Sequence, residues 1–240
     1  MFEWIIDIFN IALYKPLFNS LVVLYNNIPG HDLGIAIILL TFIIRVILYP
    51  LSLKAVKSQT ALQKLQPKMK EIQAKFKNDK EKQAKETLEL YKQEKINPFS
   101  GLLLALIQLP ILIALYRVFW TGLNPSELSN LYSFVFNPVK INFIFLHVLD
   151  LSKPSMYMAV VAGVLQFFQT KMLLPKEQKV SGKVSEFSDI MQKQMTYFFP
   201  FFTIIILLGL PSALGLYWVA SSIFAIAQQY FILKNKKTTT

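Results

Sequence analysis

Five long apolar runs, separated by polar and mostly basic stretches, constrain this chain more than any other feature. They are approximately Gly34 to Leu53, Phe99 to Thr121, Ser155 to Leu174, Met195 to Leu210 and Ser212 to Leu233. A helix rises about 1.5 Å per residue and a bilayer's hydrocarbon core is about 30 Å thick, so roughly 20 apolar residues span it. Composition agrees: 54% of the residues are hydrophobic and 16% charged, where a soluble domain carries about 25% charged residues. The expected fold is an all-α integral membrane protein, a five-transmembrane-helix bundle. The fourth run, Met195 to Leu210, covers only about 24 Å as a helix. Gly209-Leu210-Pro211-Ser212 should turn it tightly into the fifth.

Loop charge sets the sidedness. Lys54 to Lys95 holds 12 lysines, Lys171 to Lys193 holds five, and the tail from Lys234 holds three. With five spans these 20 of 25 basic residues fall on one side, which is the cytoplasmic one because positive charge is retained there. The expected organisation is residues 1–30 as an outer-face segment and 31–54, 99–121, 155–174, 195–210 and 212–233 as spans. Residues 55–98 form a cytoplasmic hairpin, 122–154 an external loop, 175–194 a cytoplasmic loop and 234–240 a short basic tail, giving a multi-pass membrane protein with its C-terminus on the cytoplasmic face, or on the equivalent matrix or stromal face. A sixth span over Leu128 to Leu149 is rejected. Asn137, Pro138, Lys140 and Asn142 interrupt it, and it would move the later lysines outside.

Phe2, Ile5, Ile6, Phe9 and Leu13 recur at helical spacing among Glu3, Asp7 and Asn10. This fits an N-terminal interfacial amphipathic helix on the outer face, with a tilted extra span as the alternative. The same acidic residues argue against a cleavable signal peptide, which would start with a basic region. Cysteine is absent, so no disulfide, thiolate metal site or cysteine nucleophile is available. No cofactor or metal is expected.

Between the first two runs, Leu62, Leu65, Met69, Ile72 and Phe76 make a 3-4-3-4 seam, and Ala84, Leu88 and Tyr91 resume it after Asn78-Asp79. The pattern predicts an antiparallel helical hairpin, kinked or restarted at Pro67. Its 12 lysines and six acidic residues leave it at +6. Charge alone favours an ordinary positive-inside loop with Glu–Lys pairs over an arm that docks on ribosomal RNA, a targeting receptor or lipid headgroups.

Arg45 is the most informative single residue, lying about 13 Å or more from either end of its run. A charge at that depth costs at least about 2.5–3.5 kcal/mol, and arginine cannot shed its proton. No Asp or Glu occurs within the runs to pair with it. They offer neutral polar groups instead: Thr41, Gln108, Gln166, Gln169, Thr170, Tyr217, Ser221 and Ser222. Thr41 precedes Arg45 by one turn, Gln166, Gln169 and Thr170 share a face, and so do Tyr217 and Ser221. Polar faces converging on an unpaired cation imply a hydrated cavity within the bilayer. Any one Gln or Ser taken alone is better read as a bond between helices, contributing about 0.6 kcal/mol. Arg117 lies near a span end, where its side chain can reach the interface.

The run Thr41-Phe42-Ile43-Ile44-Arg45-Val46-Ile47-Leu48-Tyr49-Pro50-Leu51 resembles the first conserved span of the YidC/Oxa/Albino insertases. The resemblance continues through Asn97-Pro98, Ile107-Gln108-Leu109-Pro110-Ile111, Phe199-Pro200-Phe201, Leu210 to Trp218 and Gln228-Gln229, covering nearly the whole chain. It implies an insertase and chaperone that takes transmembrane segments and short hydrophilic regions of nascent membrane proteins into the bilayer, without acting as an enzyme. By motif, Arg45 and Thr41 become groove residues, Gln108 and Gln166 line the groove, and Tyr217 and Trp218 contact substrate; Gln169 and Ser221 join them on the faces noted above. Spans three and five would form an apolar slide. The implied partners are nascent chains and lipid, with a ribosome, targeting receptor or Sec translocon at the lysine-rich hairpin and no specific recognition of nucleic acid. Two departures accompany it: the large extracytoplasmic domain of many members is not seen, and neither is a long basic tail.

Three other classes compete, a passive scaffold that would tolerate any polar replacement of Arg45 among them. An intramembrane serine protease would need Ser212, but His31 and His147 both lie in external segments, away from a membrane-depth site. An anion-binding transporter or channel built on Arg45 is the stronger rival, although the chain lacks the paired repeats such proteins often show.

Overall fold

A computed structural model of the chain describes residues 3–97, 99–123, 127–172 and 194–237. The loop expected at 175–194 lies outside these residues except for its last position, as do Pro98 and the final residues 238–240 of the tail. The described chain is mostly helical: α1 Glu3–Asn27 with a π-turn at Asn10–Tyr14, α2 Leu33–Ile47, α3 Tyr49–Lys75, α4 Lys80–Gln93 and α5 Ser100–Arg117. A two-stranded antiparallel hairpin, β1 Ile144–Phe145 and β2 Leu149–Asp150, precedes α6 Met156–Met172, α7 Phe199–Leu208 and α8 Ser212–Lys237. The β-hairpin is a small departure from an all-α chain. Residues 127–151 otherwise hold a short 3-10 turn and loops, with no helix of spanning length.

α1 and the Ser212–Lys234 part of α8 are long and apolar enough to cross a membrane, and α2 with α3 makes a third such element if taken as one span. The apolar stretches Leu106–Trp120 and Thr196–Leu208 are shorter helices. The 17 residues of α6 rise about 25 Å, a little less than a hydrocarbon core. Helix lengths thus give two or three spans where hydropathy of the runs predicts five. The N-terminal segment is one continuous helix of 25 residues, long and apolar enough for the alternative of a tilted extra span.

Two breaks differ from expectation. The first run does not continue straight to Leu53: α2 ends at Ile47, and α3 leaves at 66° after Leu48. Pro50, in the first turn of α3, explains this, because its ring clashes with the carbonyl four residues back. Pro67, in contrast, sits inside α3 without ending it, the helix absorbing one lost backbone bond.

α3 meets α4 and the residues just after it through a Lys68–Glu94 ion pair at 2.6 Å, a Tyr91 hydroxyl 3.4 Å from the Met69 sulfur, and Ser58 donating to the Asn97 carbonyl at 2.8 Å. Of the expected seam on α4, Tyr91 faces α3 and the other two residues do not. Ala84 and Leu88 are exposed, while Leu90 is buried and Gln83, Thr87 and Tyr91 half-buried. Leu90 with Tyr91 offers more surface to α3 than Ala84 with Leu88, and a lone exposed leucine is unremarkable.

α8 lies between α2 and α6, α6 also packs on α7, and α1 covers α2. The core gathers at one end of this bundle, where α2, α6 and α8 begin and α5 ends. Leu33, Ile37 and Leu40 of α2 meet Leu214, Leu216 and Tyr217 of α8, Ala159 and Ala162 of α6, Leu115 of α5 and Phe18 and Leu21 of α1. Val135, Ile141 and Leu151 of the 127–151 segment close over it. Two helix starts at this end are satisfied by side chains and loop carbonyls. Asp32 caps α2 through the amides of Gly34 and Ile35, and Ser212 and Ala213 at the start of α8 donate to the Lys153 and Leu151 carbonyls at 2.9 and 3.1 Å. Helix-end amides have no partners within their own helix, so these bonds satisfy donors that would otherwise be stranded. Gly163 lets α6 and α7 approach: a Cβ there would strike Ile204 and lie 3.1 Å from the Pro200 carbonyl.

Candidate functional site

Beyond the apolar end, each helix turns polar where it passes the middle of the bundle. On α2 the buried row Leu33 to Ile44 gives way to Arg45; on α8, Ala213 to Tyr217 give way to Ser221 and Ser222; on α6, Ala159 and Ala162 give way to Gln166. α5 runs the other way, from Gln108 toward buried Ile111 and Leu115. Antiparallel α5 and the other three thus place their polar turns at one level. A cavity of about 210 Å³ opens there, roomy enough for several waters.

Arg45, Gln108, Gln166, Gln169, Tyr217, Trp218 and Ser221 all line this cavity. Arg45 donates through Nε to the Ser221 hydroxyl at 3.1 Å, its one hydrogen-bond partner among the described residues. Gln108 donates from Nε2 to the Tyr217 hydroxyl, tying α5 to α8. Trp218 donates from Nε1 to Gln166 Oε1 at 2.9 Å, tying α8 to α6. These two bonds fix the walls, leaving the guanidinium with unfilled donor capacity facing the cavity. None of the lining residues is acidic, and no described carboxylate pairs with Arg45.

Thr41 stands apart. It is buried, and its hydroxyl donates to the Ile37 carbonyl of its own helix at 2.6 Å, away from the lining. Threonine in a helix interior commonly satisfies itself this way. Thr170, Ser222 and Leu112 complete the wall. The first two are visible in the sequence as polar residues in apolar runs, one position beyond Gln169 and Ser221. Leu112, one turn after Gln108, carries no polar signal that could have marked it.

Arg45 also differs in setting from a residue midway along a straight span. It lies in the last turn of α2, next to the Leu48 bend. The free carbonyls of a helix C-terminus favour a cation there by about 0.3–1 kcal/mol, more when partly buried. Past the bend a second polar contact joins α3 to α8: Ser52 donates to Gln228 Oε1 at 2.8 Å, with both side chains buried. At the opposite end Ser212 is buried and its hydroxyl donates to the Asp150 carbonyl at 2.9 Å, while the His31 ring lies 3.1 Å from the Tyr25 carbonyl.

Known proteins resemble the chain over nearly all of these elements. Residues 23–239 match the family described as 60Kd inner membrane protein. A protein of Fusobacterium nucleatum subsp. nucleatum named membrane protein insertase YidC is 35% identical over 225 residues, covering 93% of this chain and 98% of that one. The protein of the same name from Syntrophus aciditrophicus is 37% identical over 225 residues, 93% of this chain but 36% of its own length. Another, from Francisella tularensis subsp. novicida, is 35% identical over 206 residues, 86% of this chain and 33% of that one. The chain therefore spans nearly all of the first relative and about a third of the other two. A family match of this extent, carried by the same helices that build the cavity, makes the chain a member of the 60Kd inner membrane protein family.

Proposed function

We propose that this chain is a membrane protein insertase that passes transmembrane segments and short hydrophilic stretches of newly made proteins into the bilayer through the Arg45 cavity. One observation carries the reading: a guanidinium lines a neutral polar cavity and, among the described residues, bonds Ser221 and faces no carboxylate. A polar segment crosses hydrocarbon slowly because its hydrogen-bonding groups go unmet there. A wet cavity open to a translocating chain supplies partners partway, and a fixed positive charge favours stretches bearing Asp or Glu. The apolar packing of the other end seals the path, so release is sideways into lipid, along α6 and α8. No nucleotide hydrolysis by this chain is needed.

In this reading the apolar segments form five spans, with α2, α5, α6, α7 and α8 crossing the inner membrane and the C-terminus cytoplasmic. The lysine-rich α3–α4 pair stands on the cytoplasmic side, where it could meet a ribosome, a targeting receptor or the Sec translocon. The name carried by the relatives agrees with the activity. The test is reconstitution in liposomes with a small single-span substrate whose translocated end is acidic. Insertion above that of empty liposomes, kept by Arg45→Lys and lost by Arg45→Ala, is the expected result. No insertion by the wild-type chain defeats the proposal.

A further inference from the structure

The segment from Leu131 to Leu149 leaves an apolar surface that the cavity and its proposed task do not use. Val135 and Ile141 turn inward to the core, yet Phe134, Phe136, Val139 and Val148 are 79%, 77%, 77% and 88% exposed, with Leu146 beside them. This is not a loosely held loop. Asn26 donates to the Phe136 carbonyl at 2.7 Å, the Asn142 amide donates to the Tyr25 hydroxyl at 2.9 Å, and the Leu146 amide donates to Asp32 Oδ2 at 2.8 Å. The backbone is held where it is costly to hold. Val139 (φ 60°), Leu146 (φ 47°) and His147 (φ 61°) occupy the left-handed region, which branched and bulky side chains avoid. Strain kept in place by specific bonds points to a use.

Exposed apolar groups on this scale mark a site of interaction with protein or membrane. Two features select the membrane. First, the β-hairpin sits on the lipid-facing row of α2. Phe145 packs on Gly34, and the side chains one and two turns further along that row, Ile38 and Phe42, are exposed apolar groups on a helix of an inner-membrane protein. Second, Leu131 to Leu149 contains no Asp or Glu; Lys140 is its fixed charge, a combination suited to anionic headgroups above acyl chains.

We infer that Phe134, Phe136, Val139, Leu146 and Val148 form a wedge that dips into the lipid leaflet on their side of the membrane, with Lys140 at headgroup level. The wedge holds the sealed end of the bundle at a set depth, independently of whether the Arg45 cavity handles substrate.

The chain has no cysteine, so single labels report unambiguously. Phe136→Cys and Val148→Cys are labelled with an environment-sensitive fluorophore and reconstituted in phosphatidylethanolamine–phosphatidylglycerol vesicles; Ile47→Cys, on the exposed face of α2, serves as the lipid-facing control. Both probes should emit blue-shifted from water, resist iodide, and be quenched by spin labels at the headgroup or shallow acyl positions. Water-like emission with full iodide access at both sites overturns the inference. Protection from iodide without quenching by any spin-labelled lipid shows a protein covering the face, and overturns it equally.

Discussion

If Arg45 receives charge, its removal should hurt acidic substrates selectively, and the size of the effect follows from the site. A carboxylate about 4 Å from the guanidinium gains about 1 kcal/mol in water and about 4 kcal/mol at an effective dielectric constant near 20. Arg45 is half-buried and looks onto a cavity of about 210 Å³, an intermediate setting. The expected coupling is therefore about 1.4–2.7 kcal/mol, or about 10- to 100-fold in rate. The measurement is a double-mutant cycle on initial insertion rates in proteoliposomes. Wild type, Arg45→Lys and Arg45→Ala are each paired with a substrate bearing one aspartate in its translocated end and with its asparagine counterpart. Arg45→Ala should slow the aspartate substrate by that factor more than the asparagine one, and Arg45→Lys should keep most of the difference. Equal slowing of both substrates by Arg45→Ala would refute charge reception and leave Arg45 a role in hydrating or shaping the cavity.

Other outcomes follow from single contacts. Gly163→Leu should loosen the α6–α7 contact, since even a Cβ meets Ile204 and the Pro200 carbonyl; overpacking of this kind costs about 1–3 kcal/mol, read as a lower unfolding midpoint in detergent. Hydrogen bonds from Ser152 and the ammonium of Lys153 hold the Asp150 carboxyl below its usual range. Its stabilising contribution is thus full above the ordinary carboxylate pKa and is lost as pH falls through the lower folded value. Acid unfolding scans should show this loss in the wild type and a smaller one in Asp150→Asn. Asp32→Ala removes the α2 cap and the bond to Leu146, so stability should fall by about 1 kcal/mol or more in the same unfolding measurement. Glu94→Gln should shift stability by less than about 1 kcal/mol, because the Lys68 pair is solvent-exposed.

Much of this protein follows from local chemistry and is therefore legible along the chain. Apolar run length, the excess of lysine between runs and the residue types at Arg45, Gln108, Gln166, Gln169, Tyr217, Trp218 and Ser221 need no neighbours to be read. Helical periodicity also pairs Tyr217 with Ser221 and Gln166 with Gln169. What periodicity cannot supply is which groups are already satisfied. Thr41 shares Arg45's face, yet it bonds Ile37 and stays out of the cavity. On α4 the expected Tyr91 meets α3 through Met69, but Leu90 is buried in place of Ala84 and Leu88, because burial depends on what α3 presents and not on spacing within α4 alone. Pro50 stands at a helix break while Pro67 sits inside one continuous helix, a difference that the residue type by itself does not give. The 131–149 segment shows the same division: its sequence reveals apolar residues interrupted by polar ones, but only the fold decides that Val135 and Ile141 point inward and Phe136 and Val148 outward. Composition and hydropathy place a chain in a bilayer, because solvent transfer acts residue by residue. The cavity depends on antiparallel helices meeting at one level, and the outward apolar residues on how the 131–149 segment is held by Asn26, Tyr25 and Asp32, neither of which a single stretch of sequence contains.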